Sequence, residues 1–236
     1  MVNSVAGGGT LITFPTLVWL GRDPIIANAT NTLALWPGSL AGMFGFRRYL
    51  TGSRNWLLLL VGPSVLGGIV GAILLLATPS ETFSGLVPYL ILAATLLLAL
   101  KEPLQRTLLS GGSPHNSRLW WAAAALFQFM VAVYGGYFGA GIGILMLAAL
   151  GLLRLTDIYQ MNGLKNFFAF CINGVAALYF VASGAALWSD AAVMALGAMS
   201  GGYGGATLAR KLGRRVVRAL AVAAGLIMAI SLLLKD

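Results

Sequence analysis

Apolar residues run almost unbroken through this chain, at about 25–46, 56–77, 84–100, 158–183, 190–209 and 216–234, with short polar interruptions between them. Most of these runs approach the ~20 residues that cross a ~30 Å hydrocarbon layer as a helix. They are too long and too continuous for barrel strands of ~10 alternating residues, and open backbone is not tolerated in lipid, so the pattern predicts an all-α membrane protein. Two shorter pieces, 118–134 and 139–153, are joined by GGYFGAGIG. They predict either two short spans or a re-entrant hairpin, with irregular backbone at membrane depth, which is tolerated only inside protein or beside a water-filled cavity.

A shift of 134 positions lays the second half over the first without a gap. Ala6, Gly7, Gly9, Asp23 and Asn28 meet Ala140, Gly141, Gly143, Asp157 and Asn162. Gly67, Gly68, Gly71 and Ala72 meet Gly201, Gly202, Gly205 and Ala206, and Leu100-Lys101 meets Leu234-Lys235. The register implies a duplication: an N-terminal transmembrane repeat over 1–102, a polar linker over 103–117 that is cytoplasmic, and a C-terminal repeat over 118–236. Residues 118–134 have no counterpart after Met1, so the first repeat lacks its leading helix. The expectation is an upstream in-frame apolar segment, with a natural truncation as the second explanation.

Composition agrees with the pattern: 59% of residues are hydrophobic, 9% are charged, and the mean hydropathy is +0.89. A net charge of +9 would suggest nucleic acid in a soluble protein, but these basic residues cluster between spans, and no nucleic-acid partner is expected. Arg47, Arg48 and Arg54 fill one loop, Lys101, Arg106 and Arg118 another, and Arg210, Lys211, Arg214, Arg215 and Arg218 a third. The positive-inside rule makes all three cytoplasmic and places Arg22, Glu81, Asp190 and the C-terminus outside. The basic loop at 47–54 then corresponds to the uncharged outer loop at 181–188, and the loop at 78–84 to the basic loop at 212–218. Equivalent loops on opposite faces mean inverted-topology repeats, the pattern of secondary transporters whose substrate lies at the repeat interface. The predicted fold class is therefore an all-α integral membrane protein of two inverted-topology repeats, with glycine-broken short helices near the midplane.

No signal peptide is evident, so insertion uses internal helices, and the location expected is a cell membrane, multi-pass, of the bacterial inner-membrane kind. The single Cys171 reads as a small buried hydrophobe.

The runs NSVAGGGTLITFPTL and ANATNTLALWPGSLAG, with GAGIGILMLAALGLLRLTD opening the second half, resemble the TauE/SafE family of membrane anion transporters, also called the sulfite exporter family. The resemblance covers nearly the whole chain. The second half departs from the motif, with Ala149 where the first has Pro15. The resemblance implies transport of small sulfur-containing anions such as sulfite, sulfonates or thiosulfate, or of related organic acids.

Independently of the family, a glycine-rich turn opening a helix leaves backbone N–H groups pointing past a positive helix end, which suits an anion. Gly7, Gly8 and Gly9 precede one such helix, and Gly139, Gly141 and Gly143 its partner. The alternative reading of glycines, close helix packing, is preferred for Gly67, Gly68, Gly71 and their counterparts. In the next helix stand Asn28, Thr30, Asn31 and Thr32, with counterparts that include Asn162, Lys165 and Asn166. Amides and an ammonium in lipid need partners, so these side chains are candidates for holding a small anionic substrate, against snorkelling or a structural bond for Lys165. Asp23 and Asp157 read as helix caps. Asn173 and Gln128 face either the cavity or a neighbouring helix.

Neither HExxH, GxSxG, a Walker loop nor a His/Cys/carboxylate cluster occurs, so no enzyme, metal or cofactor is expected. The function expected is secondary transport of a small anion. An anion channel and a non-transporting membrane assembly protein are the other classes, and a homo-oligomer is compatible with each of these readings.

Overall fold

In a computed structural model, the protein is described over residues 9–50, 52–100, 118–153, 155, 157–197 and 214–234, and these residues form only helices, turns and connecting coil. The helices are α1 (Thr10–Trp19), α2 (Pro24–Phe46, continued by a 3-10 turn at Arg47–Leu50), α3 (Arg54–Ala77), α4 (Ser80–Ala99), α5 (Arg118–Tyr137), α6 (Ile142–Leu152), α7 (Ile158–Ala182), α8 (188–197) and α9 (Arg214–Leu233). Arg54–Ala77, Ser80–Ala99 and Tyr159–Ala182 are long and apolar enough to cross a membrane. At 23 residues α2 has the length as well, but Asn28, Thr30, Asn31 and Thr32 dilute its apolar character.

The helices stop and start where local chemistry dictates. Asp23 accepts hydrogen bonds from the N–H groups of Ile25 and Ile26, with Pro24 in the first turn of α2. Asp157 accepts from Tyr159 N–H at the start of α7. Both aspartates thus act as the caps that the sequence suggests. Two helix starts also keep the 134-residue offset, with α2 and α3 beginning at 24 and 54 and α7 and α8 at 158 and 188.

The expected division of 118–153 is corrected. α5 extends through Gly135 and Gly136 to Tyr137, for 20 residues, and α6 has only 11. At 1.5 Å per residue α5 is about 30 Å long, whereas α6 is about 16 Å and the 10-residue α1 about 15 Å. Neither short helix reaches across a hydrocarbon core of ~30 Å.

Packing is densest along α3, whose buried stripe Leu60, Ser64, Gly67, Gly68, Gly71, Ala72 and Leu75 meets α5 and α7. A methyl group on Gly67 would lie 2.6 Å from both the Phe129 carbonyl oxygen and Ala132 Cβ, and one on Gly71 would collide with the Val133 carbonyl. These glycines serve close approach; Gly201, Gly202 and Gly205 lie outside the described residues. The opposite faces of the helices carry exposed Leu58, Leu66, Ile73, Leu86, Leu96 and Met130, an apolar exterior suited to lipid.

α2 and α7 run antiparallel. Tyr49, after the end of α2, stacks on Tyr159 at the start of α7 with ring centroids 5.1 Å apart, and Gln160 donates to Ser53 at 2.8 Å. At the other end Leu187 N–H donates to Thr30 Oγ1 at 3.0 Å. Midway, Trp36 stacks on Phe170 at 5.6 Å and donates through Nε1 to its carbonyl, while Asn173 Nδ2 approaches Ser39 Oγ at 3.5 Å. Both of these central pairs join residues 134 apart in sequence.

Candidate functional site

The connection between α5 and α6 is buried and turns on two left-handed residues, Gly139 (φ 76°) and Gly141 (φ 74°), a conformation that side chains with a Cβ disfavour. Phe138 and Ala140 between them are buried. Tyr134 fixes the corner by donating its hydroxyl to the Ala140 carbonyl at 2.7 Å. Gly141 is the N-cap of α6 and Gly9 the N-cap of α1, neither with a side-chain cap. Gly143 is corrected: it is the second residue of α6 and does not precede the helix. Gly7 and Gly8 lie outside the described residues.

Three elements converge on this corner. From α2, the fully buried Asn28 donates through Nδ2 to the Tyr137 carbonyl at 2.8 Å. Its Oδ1 is buried with no hydrogen-bond partner. One turn on, Asn31 Oδ1 accepts from Thr13 Oγ1 of α1 at 2.5 Å, and Thr30 ties α2 to the approach of α8 through Leu187. From α1, Phe14 packs edge-on against Phe138 with centroids 5.3 Å apart. From α7, the aliphatic stem of Lys165 lies over Gly143, where a Cβ would be 3.4 Å from Lys165 Cδ, and its ammonium donates to Asn162 Oδ1 at 3.1 Å. Asn162, Lys165 and Asn166 are all half-buried.

The structure therefore gathers Asn28, Gly141, Gly143 and Lys165 around 137–143 and links Asn31 to the α1 turn at Gly9 through Thr13. Thr30 points instead to the α7–α8 connection. Sequence reasoning missed Thr13, Tyr134 and the Tyr137 carbonyl. Thr13 falls on Leu147 in the 134-residue register, so that comparison offers it no polar echo. Asn173 and Gln128 bond to neighbouring helices, at Ser39 of α2 and Ser64 of α3. Cys171 is half-buried, where the sequence reads as buried.

The cluster offers an ammonium, several amides and a glycine-opened helix start in a largely apolar surround. Such donors can hold an anion and strip part of its hydration. Away from this corner, Arg22 Nε meets Asp190 Oδ2 at 2.8 Å, joining the α1–α2 loop to α8.

A family model described as sulfite exporter TauE/SafE matches residues 1–232. A probable membrane transporter protein, ORF9, from Sinorhizobium sp is 28% identical over 233 residues, covering 98% of this chain and 87% of its own. A probable membrane transporter protein from Haemophilus influenzae is 28% identical over 227 residues, covering 94% and 85%. The probable membrane transporter protein YfcA of Escherichia coli K12 is 26% identical over 233 residues, covering 98% and 84%. No solved structure gives a significant match.

Proposed function

The chain belongs to the TauE/SafE sulfite exporter family of membrane transporters, and from that premise we propose that it is a secondary transporter of a small anion, a sulfur oxyanion or organosulfonate such as sulfite. It carries the anion across the bacterial inner membrane by alternating access between inverted repeats at 1–102 and 118–236.

The observation that carries this reading is the crossing of α2 and α7. Equivalent residues of two repeats touch each other where a two-fold axis passes between them, as in any isologous contact. Trp36 against Phe170 and Ser39 against Asn173 are such pairs. The antiparallel run of the two helices supports an axis in the membrane plane, the relation that alternating access between inverted repeats uses. The halves rock about this crossing. On one face the closing contacts are Arg22 with Asp190, and on the other Tyr49 with Tyr159 and Ser53 with Gln160.

The anion sits at the start of α6, on Gly141 and Gly143, with Lys165 supplying charge and Asn162 and Asn166 setting geometry. Gly9, Asn28 and Asn31 form the matching wall from the first repeat. The ammonium beside a glycine-opened helix end is the feature that favours an anion over a neutral solute.

Counterflow tests the proposal. Proteoliposomes preloaded with unlabelled sulfite should take up labelled sulfite faster than empty ones, with saturation, because a carrier returns quickly when loaded. Flux that rises linearly with concentration and ignores the preload would instead describe a pore.

A further inference from the structure

The two repeats treat the same pair of positions differently. In the second, Asn162 and Lys165 are one turn apart on α7, and the Lys165 ammonium donates to Asn162 Oδ1 at 3.1 Å. In the first, their counterparts 134 residues earlier are Asn28 and Asn31. The amide is kept and the cation is not. Asn28 Oδ1, the counterpart of the oxygen that takes the ammonium, is fully buried and has no donor. A buried unpaired carbonyl costs on the order of 1–3 kcal/mol, so a fold that retains one there gains something else from it.

The orientation of Asn28 is set by its neighbour. Its Nδ2 faces the Tyr137 carbonyl at 2.8 Å, and turning the amide over would place two acceptors at that distance. Asn31 adds a second oxygen. Thr13 has one hydroxyl proton but two oxygen neighbours, Gly9 O at 3.0 Å and Asn31 Oδ1 at 2.5 Å. The shorter contact takes the proton, so Thr13 donates to Asn31 Oδ1 and leaves that oxygen's second lone pair on the face it shares with Asn28. The carbonyl end of α5, at Tyr137, brings the negative pole of a 20-residue helix to the same place. An all-oxygen set suits a hard cation. A divalent ion would want carboxylates, and no group of three or more His, Cys, Asp or Glu comes together among the described residues.

We propose that the first repeat binds a sodium ion between the Asn28 and Asn31 carbonyl oxygens beside the Tyr137 carbonyl, in the place that the Lys165 ammonium takes against Asn162 in the second. One repeat carries a tethered cation and the other borrows one from solution. Its use as the coupling ion for anion transport rests on the transporter reading above; its binding does not.

The test is thermal unfolding of the purified full chain in chloride salts of sodium, potassium and choline at matched ionic strength, without oxyanion. Sodium at ten times its dissociation constant should raise Tm by about 3–6 °C over choline, and potassium by less. Asn31→Lys installs the second repeat's arrangement in the first, so its Tm should be high in every salt and insensitive to sodium. Asn28→Leu should also lose the sodium response, and Lys165→Met should keep it. Should Asn28→Leu not fold, Asn31→Lys decides alone. Equal Tm in all three salts overturns the proposal, as does a sodium response that survives Asn31→Lys. A sodium response in a protein that shows no counterflow would leave the ion site standing and remove the transporter reading.

Discussion

Replacing Lys165 by methionine separates charge from packing at one atom. The methionine keeps most of the stem that lies over Gly143 and deletes the ammonium 3.1 Å from Asn162 Oδ1. On the folding side, Asn162 loses one donor but is half-buried and can take a water in its place, so the cost stays below about 1 kcal/mol, or 2–4 °C in Tm for a chain of this size. On the binding side, a unit charge ~4 Å from a monoanion is worth about 4 kcal/mol at an effective dielectric of 20 before desolvation. The net value of a charge-assisted hydrogen bond is about 1.5–3 kcal/mol, which is roughly 10- to 150-fold in affinity. Labelled sulfite uptake into proteoliposomes, measured across concentration, should show the half-saturating level raised by that factor while expression and monodispersity stay normal. Asn162→Ala, which leaves the ammonium in place, should do less. If Lys165→Met reproduces the parent curve, the lysine snorkels to the surface and the anion is held by the glycine turns alone.

The α3–α5 contact gives a contrast pair: Gly67→Ala meets the Phe129 backbone and should cost about 1–3 kcal/mol by overpacking, whereas Gly62→Ala has nothing within 4 Å and should be neutral or up to ~1 kcal/mol stabilising in thermal unfolding. Arg22→Asp should slow counterflow or bias the protein toward one face, and the exchanged pair Arg22→Asp with Asp190→Arg should restore it; no recovery in the double variant would mean that the 2.8 Å pair is incidental. Topology is checked in a Cys171→Ala background with cysteines at the exposed Arg48 and Ser80, which an impermeant thiol reagent should reach from the cytoplasm and from outside respectively. Labelling of both from one side removes the inverted arrangement. Ser53 is unsuitable for this purpose because it is buried against Gln160.

Helix positions were legible in the chain because lipid allows a single solution for a long apolar run, and the starts of α2 and α7 were legible because Asp23 and Asp157 are local caps. A 134-residue register was legible too, in glycines and amides such as Asn28 and Asn162. What the sequence could not give was the reach of α5, because Gly135 and Gly136 look like breakers in one dimension and are kept helical by tight packing in three: Gly136 lies against Gly68. Nor could it give partners. That Asn28 spends its NH2 on the Tyr137 carbonyl, that Thr13 bridges Gly9 and Asn31, and that Trp36 meets Phe170 across a crossing of antiparallel helices are contacts between residues far apart in the chain. Local sequence encodes propensity and periodicity over a few turns, whereas such pairings are selected only when whole helices pack and each buried polar atom must find, or lack, a neighbour.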